Sequence, residues 1–268
     1  MILKKDNIIS NKQLGRIIDC DNGWTQITID DQRFYKKAGI YYPSVTYILS
    51  FYPKGKQFEN WLKQNGHGAD FIASESAERG TTVHKAIERI LDNPTIELKW
   101  IEDNGQANYS VDEWLMILRF IEFWNKYKPK LIASEIHIFS NEHKFAGTID
   151  LVIELNGELW IIDLKTSKSL HTIYDLQLSA YQEAWNEMFP EAPIKKYGIL
   201  WLKSHTRKPS SEESGKIQGR GWQLYIPDRE HIRNFDIFTK TYDIFKVENP
   251  DARPITEKYP NIAKLEVD

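Results

Sequence analysis

The sequence predicts an α/β fold in which a central mixed β-sheet is flanked by helices and joined to an N-terminal helical lobe. Three observations predict it. Residues 131–139 (LIASEIHIF), 145–155 (FAGTIDLVIEL) and 157–165 (GELWIIDLK) carry three consecutive strand patterns. The middle of these strands is apolar on both faces: Ile149, Leu151, Val152 and Ile153 stand against Leu159, Trp160, Ile161 and Ile162, as in strands covered on both sides. Segments of helical period lie before and after the strand block, over 55–127, 174–189 and 228–247.

In chain order, residues 24–36 (WTQITIDDQRFYK) alternate around Asp30-Asp31 and predict a short, peripheral hairpin within a 1–40 extension. A helical lobe is expected over 41–130. YYPSVTYIL opens it, and helical spacing over 55–79 is broken at Gly80. A fresh helix then starts at Thr81, with Thr81 or Thr82 as N-cap and Val83, Ile87, Ile90 and Leu91 inward, and ends at Asn93-Pro94. Ser110 and Glu113 have capping-box spacing and start a helix to about Tyr127, with Trp114, Leu118, Ile121 and Trp124 inward. This helical block is expected over one sheet edge. The core is expected over 131–250: after the three strands and the helix at 174–189 come a strand at 196–203, a polar loop at 204–220, the strand WQLYIP and a final helix. Residues 251–268 read as a tail, and the whole as one compact unit.

Composition narrows the function classes. Of the 268 residues 41% are hydrophobic and 27% charged, which suits an ordinary globular protein with a sizeable core. The net charge of −3 gives no global attraction for a polyanion, so nucleic-acid binding would need local basic patches or metal ions. The single cysteine, Cys20, supports neither an internal disulfide nor an iron–sulfur cluster. The first residues, MILKKDNIIS, lack the apolar run of a signal peptide, and no stretch approaches the ~18 apolar residues of a membrane span. A cytoplasmic protein of a bacterium or phage-infected cell is expected.

The chemistry concentrates at one hairpin. Asn156-Gly157 favours a two-residue type I′ turn, because both positions require positive φ. Leu155 then faces Glu158, residue 154 faces 159, 153 faces 160, and continued pairing brings Asp150 opposite Asp163. Two carboxylates so placed, with Cβ atoms roughly 4.5–5.5 Å apart, repel. Lys165, two residues beyond Asp163, points to the same side. Two acids and an ammonium thus converge at a strand end, and oxygen ligands at this spacing suit Mg²⁺ or Mn²⁺. A surface pair at a frayed end is the plainer alternative, but the apolar neighbours make ionised carboxylates costly there without a metal or counter-charge. Lys165 taken alone reads as a solvated lysine.

GTID, DLK, Gln177 and Tyr181 resemble the PD-(D/E)xK nuclease superfamily, in particular its RecB-like exonuclease branch. Arg79-Gly80-Thr81-Thr82-Val83-His84 fits that branch's histidine helix. PSVTYIL with this helix is most similar to the mitochondrial genome maintenance exonuclease group and its phage and bacterial relatives, over roughly residues 41–185. Here the name-giving Pro-Asp is Ile149-Asp150, the second acid is Asp163 rather than Glu, and the four-cysteine cluster of some relatives is missing.

The resemblance implies a restriction-endonuclease-like core and a metal-dependent DNA exonuclease favouring single-stranded ends, in DNA repair, replication or recombination. It implies one or two Mg²⁺ or Mn²⁺ ions held by His84, Asp150, Asp163 and the Leu164 carbonyl. Lys165 would position the attacking water, Gln177 would organise the metal site or the scissile phosphate, and Tyr181 would pack beneath or touch DNA. The DNA-facing set is completed by Arg79, Thr166, Ser167, Glu135, Lys203 and Arg207. Glu135 lies on the strand before the hairpin, where the family often has an acid; Lys203 and Arg207 belong to an acid-free stretch with Lys195, Lys196 and Lys208. Duller readings stand beside these: Glu135 as an edge-strand charge, Thr166-Ser167 as a loop turn, the basic stretch as solvated surface. Two rival functions remain, a structure-specific endonuclease with the same core and a catalytically silent DNA-binding subunit.

Overall fold

The Asn156-Gly157 turn forms as expected, with φ of 54° and 78°, and it sets the register of the central sheet. The computed structural model describes residues 8–11, 15–20, 23–29, 32–203, 217–219 and 221–254. The central sheet has six strands: β6 (Lys130–Ser140), β7 (Phe145–Leu155), β8 (Glu158–Lys165), β9 (Lys196–Trp201), β10 (Ile217–Gln218) and β11 (Gln223–Tyr225), in the order β10-β11-β9-β8-β7-β6. β6, β7 and β8 are antiparallel neighbours. β9 joins β8 in parallel after a crossover through helix α5 (Thr172–Met188), which makes the sheet mixed.

Both faces of this sheet are covered, as the doubly apolar strands require. One face carries α5, α6 (His231–Glu248) and the short α1 (Val45–Leu49), in a core that includes Ile149, Ile161, Leu178, Phe238 and Phe245. The other face carries α3 (Ala69–Asp92) and α4 (Val111–Tyr127), which enclose Ile153, Ile162, Leu164 and Trp222 with Val83, Ile117, Phe120 and Phe123. The expected α/β class is therefore observed, with the helical block laid over a face rather than an edge. No helix among the described residues is long and apolar enough to cross a membrane.

Several local expectations change. α2 (Gly55–Asn65) ends at Gly66, which has φ of 50°, and α3 then runs unbroken through Gly80. Glycine weakens a helix by about 1 kcal/mol against alanine without forbidding it. Thr81 and Thr82 are interior, with hydroxyls donating back to the carbonyls of Ala77 and Glu78, and are not N-caps. The Ser110–Glu113 capping box forms. The fully buried residues of α4 are Met116, Ile117, Phe120 and Phe123; of the expected inward set, Trp114, Ile121 and Trp124 pack partly buried against the same core, while Leu118 is exposed. Aromatic residues on both stripes of α4 obscured which one faces inward.

The N-terminal segment differs most. The expected hairpin is present as β3 (Trp24–Ile29) and β4 (Gln32–Lys37), but β1 (Ile8–Asn11), β2 (Gly15–Cys20) and β5 (Ile40–Pro43) extend it to a five-stranded antiparallel sheet. It is not peripheral. Trp24 stacks on Phe139 with ring centroids 3.4 Å apart, and the buried Tyr35 shares a 2.7 Å hydroxyl hydrogen bond with Thr148 of β7. The tail at 255–268 and the loop carrying Arg207 and Lys208 lie outside the described residues.

Candidate active site

The site forms where the β6-β7-β8 ladders stop. β7 and β8 pair from Leu155↔Glu158 to Leu151↔Ile162, where the ladder ends, and Asp150 and Asp163 are the next residues on the two strands. On the other flank, Ser134↔Leu151 and Ile136↔Ile149 bracket Glu135 and Asp150. Three acids thus gather where the three strands open. Glu135 has φ of 48°, a left-handed conformation that costs a non-glycine residue roughly 1–3 kcal/mol and is commonest at functional sites. The backbone N–H of Leu164 donates to Asp150 Oδ2 at 2.7 Å, so the carboxylate itself closes the end of the β8 edge.

His84 approaches from α3. Its Nε2 lies 3.1 Å from the Leu164 carbonyl, and its Nδ1 lies 3.9 Å from Asp150 Oδ1. When Nε2–H donates to that carbonyl, the neutral ring presents the Nδ1 lone pair toward Asp150. Gly80, one turn earlier, permits the approach: a Cβ there would meet Thr166 Oγ1 at 3.2 Å.

One donor atom each from His84, Glu135 and Asp150 lie within 4.8 Å of one another. Octahedral ligands at about 2.1 Å stand roughly 3 Å apart when adjacent and about 4.2 Å when opposite, so small inward movements bring this N/O set to coordination distance. The donor chemistry fits Mg²⁺ or Mn²⁺. Glu135, expected among DNA-facing residues, stands beside His84 and Asp150 in this cluster and also lines the cleft. The Leu164 carbonyl, expected as a ligand, accepts from His84.

Asp163 occupies the inner end of the acid group, 3% exposed. Its Oδ2 and Oδ1 lie 2.7 and 3.0 Å from the Lys165 ammonium, and Gln177 Nε2 donates to Oδ1 at 3.1 Å. Burial pushes its pKa up to about 6; Lys165 opposes that shift and Asp150 adds to it. Burial also drives Glu135, lodged at the floor of the cleft though reached by solvent, to about 8, assisted by the like charge of Asp150. For Lys165 burial opposes the charge, but Asp163 and Asp150 outweigh it and raise the pKa, so the group is an ammonium and not a base. Its Nζ also sits 4.5 Å from the centroid of the Tyr174 ring.

Gln177 and Tyr181 share a face of α5 as their spacing predicts. Gln177 Nε2 also donates to the Tyr181 hydroxyl at 3.0 Å, and Tyr181, 4% exposed, packs over Gly147 beneath the site. Buried there, it supports Gln177 and has no surface to offer DNA. The glycine of GTID is thereby explained, since any Cβ would stand 2.5 Å from the tyrosine ring.

A cleft of about 1870 Å³ opens above the acids, with α3 on one side and the N-terminal sheet on the other. Arg79, Thr166 and Ser167 line it. Ser167 Oγ donates to the Ser169 carbonyl, the turn that was the duller expectation, while Arg79 Nη2 donates to Ser76 and leaves a buried Nε without a partner. Lys203 is held 2.7 Å from Asp112 on α4. Lys196 pairs with Glu158 at the opposite end of the sheet, so Lys196 and Lys203 do not share a patch. The sequence reading missed Arg33 on β4, which also lines the cleft; strand alternation in QRFYKK gave its side but not its destination.

A family profile described as the PD-(D/E)XK nuclease superfamily matches residues 60–241. A search of curated proteins gave no match. Among solved structures, that of a candidate exonuclease from Eubacterium rectale is similar at 14% identity and a TM-score of 0.39, over 72% of this chain and 77% of that one.

Proposed function

The chain belongs to the PD-(D/E)XK nuclease superfamily, and from that premise we propose that it is a Mg²⁺- or Mn²⁺-dependent deoxyribonuclease, an exonuclease acting on single-stranded DNA ends. The observation that carries the reading is the group of Glu135, Asp150 and Asp163 with His84 and Lys165 at the open end of the ladders. A structural ion pair needs two charges; three acids gathered beside a histidine, with one ammonium among them, favour a cation site over a structural pair.

His84, Glu135 and Asp150 would hold the ion, with Asp163 completing the set if Lys165 turns outward. A divalent cation bound there acidifies water and offsets the charge that builds on the phosphoryl oxygens. The protein's own groups do the rest. Lys165 would turn from Asp163 to the attacking water or a non-bridging oxygen and, as an ammonium, stabilise anionic character there. Gln177, fixed by Tyr181, keeps Asp163 oriented while that exchange takes place. The end preference rests on the sequence resemblance of GTID, DLK and the histidine helix to the RecB-like branch; repair, replication or recombination is the setting that resemblance suggests.

End-labelled linear single strands and covalently closed single-stranded circles test the reading with Mg²⁺ or Mn²⁺. The wild type should degrade linear strands and spare circles, and Asp163→Ala or Lys165→Ala should abolish turnover with the fold retained. Cleavage of circles would mean an endonuclease. DNA retention without turnover in either metal would mean a silent binding subunit.

A further inference from the structure

We propose that Arg33, carried by the N-terminal sheet, binds a backbone phosphate of the strand being cleaved, so that this sheet forms the second wall of the substrate channel. The inference rests on the nuclease reading above and adds a substrate contact to it.

Strand geometry delivers the residue. On β4, Arg33 and Tyr35 share one side and Phe34 takes the other, where it is buried. The Tyr35 hydroxyl is tied to Thr148 at 2.7 Å, and His137 Nδ1 lies 2.9 Å from the same Thr148 oxygen. Thr148 stands two residues before Asp150 on β7 and so shares its side of the sheet. Tyr35 thus pins β4 against the acid-bearing face, and Arg33, one same-side step along, lines the cleft with Glu135, Asp150, His84 and Lys165. The backbone is fixed as well: Thr28 pairs with Arg33 in the sheet, and the Arg33 carbonyl accepts from Ser44 N at 2.9 Å.

The guanidinium donates a hydrogen bond to the Tyr35 hydroxyl, a neutral partner that does not balance its charge. Burial works against the guanidinium, yet Tyr35, Tyr181 and Glu135 outweigh it and the group stays protonated. Among the described residues no carboxylate lies within ion-pair distance of Arg33, although a largely buried cation ordinarily has one. Arg33 lines the cleft beside a site whose substrate, on the nuclease reading, is a phosphodiester. Guanidinium binds phosphate through paired N–H donors. The family match starts at residue 60, so the sheet that carries Arg33 lies outside it.

The test has a cleavage arm and a binding arm. In cleavage of a labelled single-stranded oligonucleotide, Arg33→Ala should raise KM about tenfold or more with a smaller effect on kcat, as for loss of one charged hydrogen bond. Binding of the same oligonucleotide is read across salt concentrations in a Lys165→Ala background. There Arg33→Ala should flatten the slope of log K against log salt by about 0.7, one phosphate contact on a single strand. Arg33→Lys should keep the slope and recover only part of the KM, because a point charge lacks the fork. Unchanged KM and slope in Arg33→Ala, or a slope flattened as much by Arg33→Lys as by Arg33→Ala, overturns the proposal. A wild type that cleaves no DNA defeats the nuclease reading instead, and the binding arm still judges Arg33.

Discussion

Substituting Gly147→Ala places one methyl group where the support of the site is tightest. The new Cβ would stand 2.5 Å from Tyr181 Cε1, 3.2 Å from Cδ1 and 3.3 Å from Cζ. Carbon atoms settle at about 3.5–4.0 Å, so the ring or β7 must move by roughly 1 Å. Tyr181 has no free space to yield: it is 4% exposed and bonded to Gln177, which in turn holds Asp163. Overpacking of this kind costs about 1–3 kcal/mol. For a domain of this size class that corresponds to a fall in Tm of roughly 2–12 °C. Thermal unfolding followed by circular dichroism measures it, and cleavage of a labelled single strand reads the displacement passed to Asp163. Combining Gly147→Ala with Tyr181→Leu should show a coupling of about 0.5–3 kcal/mol, because the smaller side chain removes the clash. A Gly147→Ala protein that melts within about a degree of wild type and cleaves normally would refute the packing argument.

Gly80→Ala should behave in the opposite way. The helix gains about 1 kcal/mol of propensity, and the 3.2 Å neighbour is the end of the Thr166 side chain, which can rotate aside, so Tm should hold or rise by a few degrees with activity kept; Gly80→Val, pushing α3 from Thr166, should lose activity through His84. The metal-free protein should lose stability as pH rises. Asp163 and Glu135 have folded pKa values raised to about 6 and about 8, so their protonated forms stabilise the fold at low pH, and that contribution disappears as pH passes first one value and then the other. Melting in EDTA between about pH 5 and about pH 9 should show the decline and Mg²⁺ should reverse it; a metal-free Tm that climbs across this window would count against the raised carboxyl pKa values.

Local signals made the hairpin of the candidate site legible. The Asn156-Gly157 turn sets the register of β7 and β8 up to Leu151↔Ile162, one residue short of Asp150 and Asp163, and Ser110 with Glu113 marks the start of α4. Glu135 was harder to place, because its position beside Asp150 is set from the Asn141–Lys144 turn, which lacks a two-residue hairpin signature. The N-terminal sheet was hidden for a different reason. What docks it is a contact such as Tyr35 with Thr148, 113 residues apart, and no local period encodes that. The continuity of α3 at Gly80 has the same origin: local propensity argues for a break, while the packing of Val83, Ala86 and Ile87 in the core holds one helix through it.

The central claim is that the acid group with His84 is a divalent-cation site. Crystals soaked in Mn²⁺, with the ion located by its anomalous scattering, address it directly. The account predicts a peak in contact with His84, Glu135 and Asp150 that disappears in Asp150→Asn; a peak elsewhere, or none at saturating Mn²⁺, would contradict it.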